Sequence, residues 1–330
     1  MKKAVITSLS CLFLAFSMVA PAYARELVAG GQAVGIEINT EGVVVAGVGE
    51  VQTEEGSCCP AEEAGLKEGD LIKEINGKKL SGAVELIDMV CEAGGEPVRL
   101  KVLRDNQIMR FNLQPAKTAE EQWRLGMWLR DSISGLGTVT FYDVETGIYG
   151  ALGHGISDTA TGKVLPLQEG KISDTQIAGV TKGAAGVPGE LNGCNDAGKT
   201  IGTVEKNTAQ GIYGRANAPA GGIHYMTGDI EVGPATIIST ISGREPREYR
   251  VEINKVYRDA DGERVMLTVN DPELCNTTGG IVQGMSGSPI IQNGKLVGAV
   301  THVFVNDPRK GYGIGIHDML RTAGIVSDAA

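Results

Sequence analysis

A serine enclosed by glycines is the residue of this 330-residue chain best suited to covalent chemistry. It is Ser286, in the segment Gly284-Met285-Ser286-Gly287-Ser288-Pro289. The glycines allow a tight bend that exposes the hydroxyl, and the backbone N–H groups of Gly284 and Ser286 can converge on one oxyanion. The segment therefore predicts Ser286 as a nucleophile for acyl transfer, with Gly284 and Ser286 as oxyanion donors. The alternative interpretation is an ordinary Gly-Ser turn.

A serine nucleophile needs a base, and histidine is the usual base near neutral pH. His154 lies between Gly153 and Gly155 and follows a predicted strand, so we expect His154 to be this base. His302 ends a predicted buried strand and is interpreted as a core or rim residue. The remaining histidines have no comparable setting: His224 and His317.

The base needs an acceptor for its second ring N–H, and a carboxylate there also stabilises the imidazolium. Three acids are candidates: Asp158, Asp229 and Asp271. Asp158 is close to His154 in sequence, and Asp229 falls in a predicted turn with a solvated role. Asp271 comes just after the predicted strand 265–269 and precedes a proline, which restricts its backbone. We expect Asp271 to orient His154.

Short strands separated by glycine-rich turns must hold these residues. Glycine makes up 47 of 330 residues, while aromatic residues are only 5%, so the core must consist of aliphatic side chains. The pattern over residues 120–325 predicts an antiparallel barrel or sandwich. A composition of 42% hydrophobic and 21% charged residues excludes general disorder, and a net charge of −10 argues against a nucleic-acid partner.

Residues 27–115 are predicted to form a separate domain. The run from Ala64 to Gly77, which ends in an Asn-Gly hairpin turn, resembles the core signature of bacterial PDZ domains. PDZ domains bind an extended peptide by adding it to a sheet edge. The resemblance implies a carboxylate-binding loop and a peptide-binding strand, with free N–H groups at the glycines. These residues are Gly30, Gly31, Val34, Gly35 and Ile36. The alternative is a simple entry turn.

The first 24 residues are typical of a secretory signal. Two lysines precede an uncharged, mostly apolar run over residues 4–20, and Ala22-Tyr23-Ala24 fits a cleavage site. The alternative is an uncleaved membrane anchor. Beyond this segment five cysteines remain, an odd number that does not suit a disulfide framework. We interpret them as structural thiols: Cys58, Cys59, Cys91, Cys194 and Cys275.

Three longer segments together resemble the SpoIVB peptidase family of sporulation proteins. They are 149–158, 279–295 and 298–308. The resemblance implies a PDZ-containing serine endopeptidase with a chymotrypsin-like catalytic domain. It implies His154 as general base, Asp271 at the acid position and Ser286 as nucleophile. This mechanism needs no metal and no organic cofactor.

The resemblance also implies a role in endospore formation. The protease would act in the space between the forespore membranes, either anchored or released. It would cleave a membrane-bound regulatory complex of an intramembrane protease, which activates a mother-cell sigma factor. Its PDZ domain would bind a peptide or its own chain. Self-cleavage near the N-terminus is expected of the family, although Gly30-Gly31 closely follow the apolar run here, so release after Ala24 could replace it. The alternative is a non-catalytic PDZ scaffold at the forespore membrane.

Overall fold

The computed structural model describes residues 25–158, 161–194, 198–218, 221–260 and 262–326. The predicted signal segment, residues 1–24, lies outside the described residues. Within the described ranges the chain forms 25 strands and four short helices, and none of these helices is long and apolar enough to cross a membrane. The five cysteines within the described residues are free thiols. The prediction of a mainly β protein is confirmed.

Six antiparallel strands form a first closed barrel. They are β2 (Ala33–Val48), β11 (Met127–Tyr142), β12 (Ile148–Ala151), β13 (Leu167–Asp174), β16 (Thr200–Val204) and β18 (Gly211–Arg215). Strand β11 pairs with β2 and β12, β2 pairs with β13, and β13 pairs with β16. Strand β12 pairs with β18, and a bridge between Gly202 and Ala216 closes the ring. In β2, inward Ile36 and Ile38 alternate with outward Glu37 and Asn39, as a half-buried strand requires.

A second antiparallel barrel follows along the chain. Its strands are β20 (Gly233–Ser239), β21 (Arg247–Asp259), β22 (Gly262–Val269), β23 (Pro289–Gln292), β24 (Lys295–Phe304) and β25 (Asp307–Gly315). The pairing runs β20–β21–β22–β25–β24–β23 and returns to β20. Alternate residues of β22, namely Val265, Leu267 and Val269, enter the aliphatic core. Two closed six-stranded barrels in sequence are the chymotrypsin-like architecture that the sequence predicts.

The N-terminal domain packs two helices on a small sheet. Its elements are β3 (Val51–Thr53), β4 (Gly56–Cys58), α1 (Pro60–Glu63), β5 (Leu71–Ile75), β6 (Lys78–Lys79), α2 (Ala83–Glu92), β7 (Val98–Arg104) and β8 (Gln107–Leu113). The turn between β5 and β6 is formed by Asn76 and Gly77, both with positive φ, so the predicted hairpin is confirmed.

The two parts of the chain share strands. The first half of β2 lies in the first barrel, while Val43 and Val44 of its second half pair with β5 of the N-terminal domain. Conversely, Leu125 and Met127 pack into the core of the N-terminal domain. The domain limits of 27–115 and 120–325 expected from sequence therefore do not coincide with the packing, because β2 and β11 each serve both cores.

The remaining elements connect these three units. They are β1 (Glu26–Ala29), β9 (Ala116–Lys117), β10 (Trp123–Arg124), β14 (Ile177–Thr181), β15 (Glu190–Gly193), β17 (Lys206–Thr208), β19 (His224–Thr227), α3 (Pro272–Thr278) and α4 (Ile316–Ala323). Strand β1 pairs with β11 and β19 and so joins the first barrel. Helix α3 ends at Thr278, and the left-handed backbone of the following Gly279 turns the chain towards the serine segment.

Candidate active site

The predicted nucleophile lies in a loop that the second barrel presents to the first. Thr138 of β11 donates its backbone N–H to the Ser286 carbonyl at 2.9 Å and its hydroxyl to the Gly284 carbonyl at 2.8 Å. The Thr140 hydroxyl donates to the Gly287 carbonyl at 2.8 Å. A Cβ on Gly287, which has φ +98°, would lie 1.9 Å from the Thr138 carbonyl oxygen. Only glycine fits there, so the tight bend inferred from the sequence is present.

Two backbone N–H groups in this loop are available to an oxyanion. Among the described residues, the N–H groups of Gly284 and Ser286 donate to no acceptor, whereas Met285 donates to the Val282 carbonyl at 3.1 Å. Gly284 has φ +95°, a conformation that glycine adopts without strain. Ser288 is fully buried, and its hydroxyl donates to the Met285 carbonyl at 2.7 Å. Ser288 is therefore a packed neighbour of the site and does not face the cleft.

His154 follows β12 and faces the same cavity as Ser286, which has a volume of about 450 Å³. Its Nδ1 lies 2.9 Å from the carbonyl oxygen of Gly155. A carbonyl only accepts, so Nδ1 carries the proton and Nε2 keeps the lone pair that a base requires. Burial lowers the pKa of His154, and the bond to Gly155 opposes this only in part.

The serine and the histidine share the cavity without a hydrogen bond between them in the part of the chain that the structure describes. The Ser286 hydroxyl instead donates to the Thr301 carbonyl at 2.6 Å. Catalytic hydrogen bonds are often long or misaligned without substrate. Rotation of the hydroxyl away from Thr301 is therefore needed before His154 can accept its proton.

The structure does not bring Asp271 to His154, which corrects the expected acid. The Asp271 carboxylate caps helix α3 and accepts from the N–H groups of Glu273 at 2.9 Å, Leu274 at 3.1 Å and Arg250 at 3.3 Å. Partial burial raises the pKa of Asp271, but these bonds outweigh it and hold the pKa below its usual value. Proline at the first helical position and an aspartate before it form a standard helix start.

The other candidate acids do not contact His154 either, within the described ranges. The Asp158 carboxylate accepts from the N–H and hydroxyl of Thr161, both at 2.9 Å, and so closes a local turn. Asp229 is exposed and lies 3.3 Å from His317. The acceptor bound to His154 Nδ1 here is thus the Gly155 carbonyl.

Sequence reasoning missed Asn207, which supports the segment that follows His154. Its Oδ1 accepts from the Ile156 N–H at 2.8 Å, and its Nδ2 donates to the carbonyls of Ile156 at 2.8 Å and Leu165 at 2.9 Å. One amide therefore satisfies three backbone groups from two separate segments. An asparagine within a polar stretch gives no sequence signal for such a role, because the contact exists only after folding.

The predicted peptide-binding strand is wrong. Gly30 and Gly31 donate their N–H groups to the carbonyls of Thr140 at 2.9 Å and Val139 at 2.8 Å, so they cannot hold a carboxylate. The other three residues are paired on both sides, with β11 and with β13: Val34, Gly35 and Ile36. These residues form a central strand of the first barrel, which leaves no edge for a peptide.

A free strand edge lies instead at the start of β11. Met127 to Arg130 pair with β2 on one side, and in the described structure no strand pairs with the other side, which faces helix α2. Between them lies a groove of about 600 Å³. Its apolar lining comes from both walls: Leu86, Ile87, Val90, Leu125, Met127 and Leu129.

The loop at one end of this groove is suited to an anion. Gly126 has φ +71°, and among the described residues the N–H groups of Leu125 and Gly126 donate to no acceptor. Consecutive free N–H groups around such a turn form an anion-binding nest. The groove therefore combines two N–H groups without an acceptor, an open strand edge and an apolar wall.

Two protein-family profiles match this chain, one over the catalytic part and one over the N-terminal domain. The sequence profile described as "SpoIVB peptidase S55" matches residues 121–320, which is more than half of the chain. The chain belongs to the SpoIVB peptidase S55 family. A PDZ-domain profile matches residues 56–104, which confirms the PDZ prediction for the N-terminal domain. As a member of this peptidase family, the chain is a serine endopeptidase with a PDZ domain.

More distant similarities are limited in extent. The chain is 29% identical over 99 residues to "Regulator of sigma-W protease RasP" of Bacillus subtilis (strain 168), and this match spans about a fifth (21%) of that protein. A PDZ domain of an SdrC-like protein from Listeria monocytogenes covers 28% of this chain and 90% of its own, with 22% identity and a TM-score of 0.23. The active form of the Rv3671c protease from M. tuberculosis covers 76% of this chain and 91% of its own, with 13% identity and a TM-score of 0.36.

We expect the protonation of His154 to set the acid limit of activity. With the neutral ring as the predicted base and its pKa lowered by burial below the ordinary 6.5, activity is expected to persist in mildly acidic solution and to fall as the pH drops through the lowered pKa. The rate of labelling by a fluorophosphonate between about pH 4 and pH 8 measures this limb, with Ser286→Ala as the unlabelled control. A labelling rate whose midpoint lies at pH 6.5 or above would contradict this prediction.

Because Asp271 caps helix α3, we predict different effects for its replacement by asparagine and by alanine. Asparagine caps a helix as well as aspartate, so Asp271→Asn is expected to keep both its Tm and most of its turnover, whereas Asp271→Ala loses about 1 kcal/mol of stability. Denaturant unfolding and peptide cleavage measure the two effects. A loss of roughly 10⁴ in the turnover of a folded Asp271→Asn enzyme would instead show that Asp271 reaches His154 during catalysis.

Proposed function

We propose that this chain is an exported serine endopeptidase of endospore formation. It cleaves a membrane-associated regulatory protein in the space between the forespore membranes and thereby triggers activation of a mother-cell sigma factor. Family membership over residues 121–320 is the observation that carries this proposal. The name of the relative "Regulator of sigma-W protease RasP" supports a place in the proteolytic control of a sigma factor. The protease acts anchored or after release, and self-cleavage is one route to release.

The catalytic steps follow from the positions of His154 and Ser286. The Ser286 Oγ attacks the carbonyl carbon of the scissile peptide while His154 Nε2 takes the hydroxyl proton. The N–H groups of Gly284 and Ser286 hold the oxyanion. The same proton then passes from His154 to the leaving amine, and the acyl-enzyme remains. Water, deprotonated by His154, hydrolyses the ester and restores the serine.

The cavity favours an extended, apolar substrate segment. Its described lining contains no acidic side chain that could bind a lysine or arginine, and much of it is aliphatic: Ile36, Ile133, Leu136, Ile281, Val303 and Val305. Strand β24 pairs with β23 only as far as Ala299, so the edge at residues 301–303, which line the cavity, is available to a substrate backbone. Substrate side chains next to the scissile bond are therefore aliphatic in this proposal.

The PDZ groove supplies a second contact with the substrate or with the chain's own tail. Its apolar walls suit a hydrophobic C-terminal residue, and the free N–H groups of Leu125 and Gly126 suit the terminal carboxylate. Protein substrates docked there would be held on the strand that leads to the cleft, because the start of β11 forms one wall of the groove and Thr138 further along it anchors the nucleophile loop.

The assignment of the nucleophile is tested by two serine variants. Ser286→Ala is expected to lower proteolysis by roughly 10³–10⁶ without loss of fold, since the attacking oxygen is gone. Ser288→Ala is the matched control, because Ser288 is buried beside the loop and its loss affects stability, not chemistry. Cleavage and fluorophosphonate labelling are measured for both variants. A dead Ser288→Ala with an active Ser286→Ala would reverse the assignment, and a wild-type protein that neither cleaves nor labels would indicate the scaffold alternative.

The proposed role in sporulation is tested in sporulating cells. Comparison of membrane proteomes from cells carrying wild-type protein and Ser286→Ala is expected to show an uncut regulatory protein that accumulates only in the variant. Sigma-factor activation in the mother cell should fail in the same cells. Normal sigma-factor activation in cells that carry only the Ser286→Ala protein would refute this role. The assignment as a peptidase would be unaffected.

The PDZ groove is tested by arginine substitutions on one helix. Ile87→Arg places a charge in the apolar groove and is expected to weaken peptide binding by about tenfold or more. Val84→Arg is the control, since Val84 is 71% exposed on the same helix and does not line the groove. Fluorescence anisotropy with a labelled C-terminal peptide measures binding, and cleavage of a short active-site peptide should be unchanged. Equal binding by both variants would place the peptide elsewhere.

A further inference from the structure

A bulge in β24 lies beside the catalytic pair. Val300 pairs with Gly313 of β25 and Val303 pairs with Gly311, so two residues of β24, Thr301 and His302, lie opposite one residue of β25. Bulges of this kind redirect side chains and occur next to active sites. Gly311 pairs with Val303 beside the bulge, and a Cβ there would lie 2.4 Å from Ile281 Cδ1 and 2.8 Å from the His302 carbonyl oxygen, so the strand next to the bulge needs a glycine at this position.

Both residues of this bulge contact the catalytic side chains. The Thr301 carbonyl accepts from the Ser286 hydroxyl at 2.6 Å. The His302 ring lies on the His154 ring, with 4.4 Å between the centroids and 33° between the planes. One short segment of the second barrel is thus in contact with the nucleophile of its own barrel and with the base carried by the first.

The base has few other constraints on its orientation. Nδ1 of His154 is bound to the carbonyl of the very next residue, and among the described residues no carboxylate contacts the ring. Because Gly155 is the next residue, its carbonyl moves together with the His154 backbone. This hydrogen bond therefore does not fix the tilt of the ring relative to Ser286. The contact with His302 supplies an independent constraint, because it comes from the other barrel.

We propose that His302 is a positioning residue of the protease: its ring packs on one face of the His154 imidazole and keeps Nε2 directed towards Ser286. This inference rests on the proposed function, since it takes His154 as the base. The contact also suits the charge that develops on His154. Although His302 is partly exposed to solvent, desolvation and the charges of His154 and Arg264 lower its pKa, so His302 is neutral when His154 becomes an imidazolium.

The same strand offers a matched control for this proposal. Phe304 stacks on Tyr312 with the same centroid distance of 4.4 Å, but Phe304 does not line the catalytic cavity. Phe304→Ala therefore removes one aromatic contact between β24 and β25 while the contact with His154 remains. Any general effect of loosening this strand appears in both alanine variants.

The test compares His302→Ala, His302→Phe and Phe304→Ala by steady-state cleavage of a short peptide. His302→Ala is expected to lower kcat by up to about 10²-fold with little change in KM, because a displaced base affects the chemical step. His302→Phe restores most of kcat, since the flat ring is retained. Phe304→Ala keeps kcat within about threefold of wild type, with a similar fall in Tm. The NMR signals of the His154 ring should shift in His302→Ala and not in Phe304→Ala.

Other outcomes separate the possible failures. Equal kcat values for His302→Ala and Phe304→Ala would overturn the inference, as would a His302→Phe variant as slow as His302→Ala. If His302→Ala does not fold, His302→Leu, which keeps bulk without a planar ring, takes its place in the same comparison. A wild-type protein without cleavage would instead contradict the proposed function itself.

Discussion

The attachment of the nucleophile loop to strand β11 is the constraint on which the site depends. Thr138 and Thr140 bind three carbonyl groups of the segment 284–287, and Gly287 approaches β11 too closely for any side chain. These bonds satisfy buried backbone groups that would otherwise be costly to leave without partners. They also join the two barrels, so that a serine from one barrel and a histidine from the other face a single cavity.

Strand β11 extends this constraint to the PDZ domain. Its first residues form one wall of the peptide groove, and its last third holds the nucleophile loop. Strand β2 runs beside it over most of the same length and contributes to both cores. The PDZ domain and the catalytic domain therefore share one continuous pair of strands, β2 and β11. The groove and the cleft are thus attached to the same two strands.

Backbone carbonyl and N–H groups supply most of the polar contacts at this site. The Gly155 carbonyl sets the tautomer of His154, the Thr301 carbonyl accepts from the Ser286 hydroxyl, and the N–H groups of Gly284 and Ser286 have no acceptor among the described residues. Asp271, whose charge suggested a direct part, stabilises the start of helix α3 instead. A carboxylate before a proline is favoured at a helix start for reasons unrelated to catalysis.

The sequence by itself determined what depends on local chemistry: the short strands, the Asn76-Gly77 hairpin, the glycine bend around Ser286 and the family. Each follows from residue types within a few positions of one another. Only the tertiary structure decided which strands pair, and it places Val34, Gly35 and Ile36 between two strands of the first barrel, where no edge is open to a peptide. It also decided the partners of Asp271, Asn207 and His302. Those contacts join residues far apart in the chain, and no local pattern encodes a distance that exists only after both barrels have closed.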